Sequence, residues 1–292
     1  MKPAPFTYLS PRTVDEALEM LREHGEEARV LAGGQTLLQS MSNRDIRPAF
    51  VIDINRVCAL GDVSEGESDS VLGALVRQRA VEKGTRDLAG LPLLAQALPH
   101  VGHVSTRNRG TVVGSIVAAI PGAEIPVVFT AVGGSLTVRS VQGTRRVAAG
   151  DLYTGPLCTS LQPDELVVSA SFPRPLPGER TAWLEFGRRP RDLPLVGVAV
   201  RLVRRASNEV DSMVIACGGV ADRPWTFTDA DAGMTGSTLD TSTTTEIADR
   251  VATEVRPVTD ARTSAAHRRI LVRTLVQRAL ELVTREPHDV AA

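Results

Sequence analysis

A chain of 292 residues with 33 Lys+Arg against 34 Asp+Glu, a formal charge of −1, lacks the strongly basic balance of a protein that grips nucleic acid by its phosphates. With 42% hydrophobic and 23% charged residues it has an ordinary globular composition, which excludes wholesale disorder, and its length accommodates one large domain or two to three small ones. Three scattered cysteines, Cys58, Cys158 and Cys217, exclude a disulfide framework, a zinc ribbon or an iron–sulfur binding run, all of which need clustered thiols, and suggest the reducing cytoplasm.

In chain order, the opening residues lack the apolar run of a signal peptide. Thr13-Val14-Asp15-Glu16 reads as a capping box, and Val14, Ala17, Leu18 and Leu21 recur at helical spacing until Gly25 supplies a stop. A short apolar strand over 28–32 runs into Gly33-Gly34; residues 35–41 have helical composition, and 50–54 form a second buried strand. This is a small α/β unit, residues 1–55. The next unit, 56–175, mixes a strand over 71–76, a helix over 80–98 broken at Pro92, a buried helix end over 127–132, a Gly133-Gly134 turn, and strands over 135–139 and 166–172. Residues 111–138 are the least charged stretch, but Pro121, Glu124 and Pro126 predict a buried helix-and-turn segment rather than a membrane span.

The Pro-rich run 173–178 sets a boundary, and a third unit, 176–292, follows. It is expected to hold three strands, over 181–187, 196–203 and 212–217. A polar stretch over 236–245 and helices over 246–255 and 263–284 complete it, with Ile270, Leu271, Leu275, Leu280 and Leu282 marking the buried side of the last helix. Strands and helices mix without repeats or regular βαβ alternation, which predicts the α+β class.

Two glycine elements carry the chemistry. In Leu31-Ala32-Gly33-Gly34-Gln35-Thr36 a strand, a glycine turn and a helix start succeed one another, so that backbone N–H groups at a helix N-terminus are offered to a phosphate. The second is Arg107-Asn108-Arg109-Gly110-Thr111-Val112-Val113-Gly114-Ser115. Each alone also reads as a structural turn; two in one chain suit a long diphosphate ligand held from both sides. Neither is the G-x-G-x-x-G dinucleotide fingerprint or a Walker loop. His100 and His103 lack the partners of a metal site and read as a loop pair, and the run Arg188-Arg189-Pro190-Arg191 reads as a solvated face or a subunit contact. No nucleophile elbow and no general acid–base pair is visible.

These motifs resemble, over nearly the whole chain, the FAD-binding medium subunit of the molybdenum hydroxylases, the family of carbon monoxide dehydrogenase and xanthine dehydrogenase. The family's A-G-G-(H/Q)-(S/T)-L is matched by Ala32-Gly33-Gly34-Gln35-Thr36-Leu37, and its R-N-x-G-T-(I/L)-G-G-N by residues 107–115; Phe6-Thr7-Tyr8-Leu9-Ser10-Pro11, Leu161-Gln162-Pro163-Asp164-Glu165-Leu166 and His267-Arg268-Arg269 support the match. The resemblance implies a vanillyl-alcohol-oxidase/PCMH-like FAD-binding fold, with units 1–55 and 56–175 clasping FAD and unit 176–292 a three-stranded sheet plus helices.

It further implies that Arg29, Val30, Leu31, Ala32, Gly33, Gly34, Gln35, Thr36 and Leu37 meet the pyrophosphate, and that Thr111, Val112, Gly114 and Ser115 form the second loop. Glu124 takes the place of an acidic residue near the ribose, and Val167 that of an aliphatic residue beside the isoalloxazine. In such oxidoreductases the substrate is oxidised at a molybdenum cofactor in a large subunit, and electrons pass through two 2Fe–2S clusters in a small subunit to the flavin and on to an acceptor. Those two subunits are the implied partners, in a heterotrimer or its dimer. This chain itself would hold no metal and no catalytic acid or base, which explains the missing acid–base pair.

Three positions depart from the family pattern. Val113 replaces a glycine, where a β-branched side chain is expected to crowd a ligand near the backbone. Ile120 replaces a common Asp, and Glu185 stands where many relatives have Lys near the flavin. These departures leave two alternatives open: a stand-alone flavoprotein oxidoreductase or isomerase acting on a small molecule, and a scaffold with a degenerate flavin site.

Overall fold

The structure, a computed structural model, describes residues 2–84 and 90–285. The first unit is built on β1 (Thr7–Leu9), α1 (Val14–His24), β2 (Ala28–Leu31), α2 (Leu37–Asn43) and β3 (Phe50–Asp53), with a parallel sheet in the order β1-β3-β2. Thr13 caps α1 by accepting the Glu16 N–H at 3.1 Å, but the reciprocal arm of the expected box is displaced by one residue: the Glu16 carboxylate accepts from the Arg12 N–H at 2.7 Å. Gly25, at φ 47°, ends the helix. The helix buries Ala17, Leu18 and Leu21 and packs on β3 from one side and on the central sheet from the other.

The central unit comprises β4 (Val63–Glu65), β5 (Asp69–Gly73), α3 (Gln78–Glu82), α4 (Pro92–Ala97), α5 (Val104–Arg109), α6 (Val112–Val117), α7 (Glu124–Ala131), β6 (Ser135–Ser140), β7 (Gly143–Ala148), α8 (Ala149–Leu152), β8 (Tyr153–Gly155), β9 (Cys158–Thr159) and β10 (Leu166–Pro173). Its five-stranded antiparallel sheet runs β4-β5-β10-β6-β7. The helix expected over 80–98 is two short ones: Pro92 opens α4 at its first turn, where a missing N–H costs nothing, and residues 85–89 lie outside those described. One apolar core runs from Leu18 and Ile52 through Leu72, Val113 and Ile116 to Phe129 and Phe172, so the first two units share a single interior. Phe129 and Phe172 meet edge to face at 5.6 Å.

The third unit contains β11 (Glu179–Phe186), β12 (Val196–Arg204), β13 (Val210–Gly218), β14 (Trp225–Thr228), α9 (Asp229–Ala232), α10 (Thr241–Glu254) and α11 (Ala265–Thr284). Its antiparallel sheet is β11-β12-β13-β14, with a fourth strand beside the three expected. Trp225-Thr226-Phe227-Thr228 is an edge strand that buries Phe227 alone among the four, so its apolar signal is weak. β12 is buried almost throughout because both faces are covered: Val198 and Val200, with Ile215 and Cys217 of β13, face α10 and α11, while Ala199 and Ala216 join the core of the first two units through α7. In α11 the buried stripe is Leu271, Val272, Leu275, Val276, Ala279, Leu280 and Val283. Ile270 (61% exposed) and Leu282 (48% exposed), expected on that side, fall off the 3.6-residue stripe and face solvent. Among the described residues no helix is long and apolar enough to cross a membrane.

Candidate cofactor site

The two glycine elements meet. The ideal Cβ position on Gly33 lies 2.5 Å from the Arg109 carbonyl oxygen and 2.8 Å from the Gly110 Cα, so only a residue without a side chain lets the backbones come this close. Gly34 follows at φ 73°, a left-handed turn that aims the start of α2 outward. The N–H groups of Gly34, Gln35 and Thr36 find no acceptor among the described residues, and Gln35 and Thr36 are exposed. A row of open donors at a helix start, rimmed by a second glycine turn, is the arrangement a diphosphate requires.

The second element is built as a helix–turn–helix. α5 ends at Gly110, and Thr111 caps α6 by accepting the Gly114 N–H at 2.9 Å. Val112 and Val113 are both buried in the first turn of α6, pointing into the core, and Val113 has no positive φ. The expectation that Val113 crowds a ligand is therefore corrected: helical geometry turns its side chain away from the exposed loop surface. Gly114 and Ser115 remain half-buried. Arg107, 2% exposed, is structural; its guanidinium meets both Glu82 oxygens at 2.8 and 2.9 Å and the carbonyls of Val101 and Gly102. Hydrogen bonding from Arg107 in turn holds the Glu82 carboxyl below its ordinary range.

A polar clamp that no motif announces fastens the two loops. Asn55, just beyond β3, donates from Nδ2 to the Ala32 carbonyl at 2.8 Å and accepts from Arg77 Nη2 at 2.5 Å, while Arg77 Nη1 donates to the Arg109 carbonyl at 2.5 Å. Asp53 anchors Asn55 through its N–H (2.9 Å) and its amide (2.5 Å), and Tyr8 Oη donates to the other Asp53 oxygen at 2.6 Å. Burial pushes the Asp53 carboxyl up, but these hydrogen bonds outweigh it and leave the group below its ordinary value. Gln78 adds a backbone tie, its N–H donating to the Gly110 carbonyl at 2.9 Å. The only trace of the clamp in the sequence is polar Asp53 and Asn55 at the end of an apolar strand; Arg77 gives no local signal because its role depends on partners 22 and 32 residues away.

The remaining expected site residues are not all brought to this place. Val30 and Ala32 pack partly into the core, Leu31 lies against Gly34, and Leu37 opens α2. Arg29 sits early in β2, and its guanidinium folds back onto the carbonyls of Glu26 and Ala28 instead of reaching the loop. Val167 is buried at a bulge in β10, in the sheet beneath α6.

Glu124 belongs to a different locus, the seam between the central and third units. It opens α7 at 5% exposure, and burial raises its carboxyl to about 7. Glu185 on β11 faces the same seam, paired with His100 Nδ1 at 3.3 Å and accepting from Trp183 Nε1 at 3.2 Å. The hydrogen bond His100 donates to the Glu185 carboxylate raises the imidazole above its ordinary value. The loop pair expected of His100 and His103 is thus divided, with His100 committed to Glu185. Close by, Gly122 at φ 86° packs on Gly218 and Gly219, and Gln96 of α4 bonds the backbone of Thr181 and Trp183 along the edge of β11. Among the described residues no group of His, Cys, Asp and Glu is placed to hold a metal ion.

Comparison with known proteins decides the lineage. A model of the FAD binding domain in molybdopterin dehydrogenase matches residues 4–175, and one of the CO dehydrogenase flavoprotein C-terminal domain matches 181–283. The chain belongs to this family. It is 32% identical to the glyceraldehyde dehydrogenase medium chain of Sulfolobus acidocaldarius over 97% of this chain and 100% of that one. The nicotine 6-hydroxylase medium subunit of Paenarthrobacter nicotinovorans is 31% identical, covering 96% of this chain and 98% of that one. A solved carbon monoxide dehydrogenase chain from Hydrogenophaga pseudoflava superposes with a TM-score of 0.92 at 31% identity, covering 96% of this chain and 98% of that one. The α+β, PCMH-like flavin fold and the FAD-binding oxidoreductase class of this family member follow from these matches.

Proposed function

We propose that this chain is the electron-transfer subunit of a molybdenum hydroxylase: it takes electrons from the iron–sulfur clusters of a small subunit, themselves supplied by a molybdenum cofactor in a large subunit, and passes them to a terminal acceptor. The observation that carries the reading is the contact of Gly33 with the backbone of residues 109–111, beside which the N–H groups of Gly34, Gln35 and Thr36 have no acceptor among the described residues. In support, the relatives are named as medium chains or subunits of dehydrogenases and hydroxylases. Free Cys58, Cys158 and Cys217 suit a reducing cytoplasm, and none of the three lies in a cluster that holds iron.

When bound, FAD supplies the exchange between one-electron carriers and a two-electron acceptor. The chain's task is to hold and orient it. The open N–H groups of the first loop donate to the diphosphate. Thr111, Gly114 and Ser115 form the opposing wall, and the Arg77–Asn55 clamp keeps the walls at fixed separation. The resemblance assigns Glu124 to the ribose and Val167 to the isoalloxazine, but Glu124 is buried at the seam with the third unit and Val167 in β10, so the cleft proposed here rests on the two loops, with units 1–55 and 56–175 closing on the cofactor.

Purification of the chain and its visible spectrum test the reading: a flavin band is expected at one FAD per chain, and co-expression with the two partner subunits should give a complex whose flavin is reduced by substrate. A chain without a flavin band that also fails to take up added FAD would overturn it. A flavin-loaded chain oxidising a substrate on its own would establish the stand-alone alternative instead.

A further inference from the structure

The arginine run of the third unit is held in an unexpected way. Residues 187–195, joining β11 to β12, carry Arg188, Arg189 and Arg191, and face the segment that leads from α10 into α11. Both walls are pinned. Buried Arg268 donates from Nη1 to the carbonyls of Leu195 and Gly219, each at 2.6 Å, and from Nη2 to Asp260 at 2.7 Å. Arg262 donates to the Leu193 carbonyl from the opposite wall, and the Leu195 N–H closes the loop on the Phe186 carbonyl at 2.8 Å.

Between the walls lies an open cavity of about 670 Å³ lined by Arg188, Arg189, Asp192, Leu193 and Arg262. Three arginines, Arg188, Arg189 and Arg262, line it beside one carboxylate, Asp192, on a chain whose overall charge is −1. Neither Arg188 nor Arg189 forms an ion pair among the described residues, and neither is needed to fill the core. Three positive side chains beside one negative leave an excess of positive charge at the cavity, which favours an anion there. Guanidinium forks favour bidentate contact with phosphate oxygens, and the volume falls in the range of small-molecule sites.

We propose that Arg188, Arg189 and Arg262 form a binding site for the phosphate groups of a phosphorylated small molecule, separate from the flavin loops. The proposal depends on no feature of the electron-transfer reading.

Calorimetric titration of the full chain, saturated with FAD where it takes FAD, with inorganic pyrophosphate at low ionic strength tests it. Saturable binding is expected. It should weaken at least about tenfold in the R188Q/R189Q double variant and tighten a few-fold in Asp192→Asn, with each variant's circular dichroism unchanged. A chain loaded with FAD, which fills the exposed flavin loops, should bind pyrophosphate as tightly as the FAD-free chain. No saturable binding below about 10 mM pyrophosphate, a range in which any specific site registers, would overturn the proposal. So would binding that FAD loading abolishes and R188Q/R189Q leaves intact, which places the anion on the flavin loops instead.

Discussion

The two seams of this molecule are built from opposite materials. Between the first and central units, glycine backbone meets glycine backbone at Gly33 and Gly110, a polar clamp of Tyr8, Asp53, Asn55 and Arg77 sets the spacing, and donors are left open to solvent. Between the central and third units, Ala199 and Ala216 pack into the shared core, and two carboxyls, Glu124 and Glu185, are drawn into a protected place beside His100. The first seam leaves backbone donors free, which is what a ligand-binding cleft requires; the second satisfies its polar groups internally or strips them of charge. A shared core can therefore contain a binding cleft at one boundary and a closed joint at another.

The sharpest way to break the first seam is Gly33→Ala. Its Cβ would strike main-chain atoms that cannot rotate away, so the loops must part; a loss of about 3 kcal/mol in urea unfolding is expected, together with failure to retain flavin. Unchanged stability would show that the loops are not tightly apposed.

The second seam is probed by pH. Glu124 has a folded-state value raised from 4.5 to about 7, so the unfolded chain releases this proton first and stability falls as pH climbs through that window, by about 3 kcal/mol from this group. His100 adds in the same direction: its contribution is complete below its ordinary value of 6.5 and is lost as pH rises through the raised folded value. Thermal unfolding of the flavin-free chain should therefore show a falling midpoint across this range, and Glu124→Gln should flatten the part between 4.5 and 7. A Gln variant with the wild-type slope would place the charge penalty elsewhere.

Arg77→Leu sharpens the distinction between holding the seam and holding the fold. It leaves the Arg109 carbonyl and the Asn55 amide oxygen without their donor, at a cost of about 2 kcal/mol, and is expected to weaken flavin binding more than a core substitution of at least that cost in the third unit, such as Leu280→Ala. Flavin fluorescence on titration measures the difference; equal losses would reduce the clamp to ordinary structure. The smallest effect is expected of Thr111→Val, which removes the cap of α6 for about 1 kcal/mol. Urea unfolding without flavin isolates that term.

The sequence by itself determined the interior of the molecule and the identity of its loops. Strands β3, β10, β12 and β13 are apolar enough to be read directly, because sheet interiors leave few solvated positions, and the glycine pairs stand out because backbone contact tolerates nothing larger. Sheet edges were another matter. The strands without a local signal, β1, β4, β7, β8, β9 and β14, are all edge strands, and the solvated face of β7 carries residues such as Arg145 and Arg146 in place of an apolar pattern. Only the tertiary structure decided where Val113 points, that Ile270 faces water, that Arg77 spans both loops, and that His100 and Glu185 pair across 85 residues of chain. Propensity and periodicity act between near neighbours along the chain, whereas a clamp, a seam or a buried charge exists only once distant segments have been packed together.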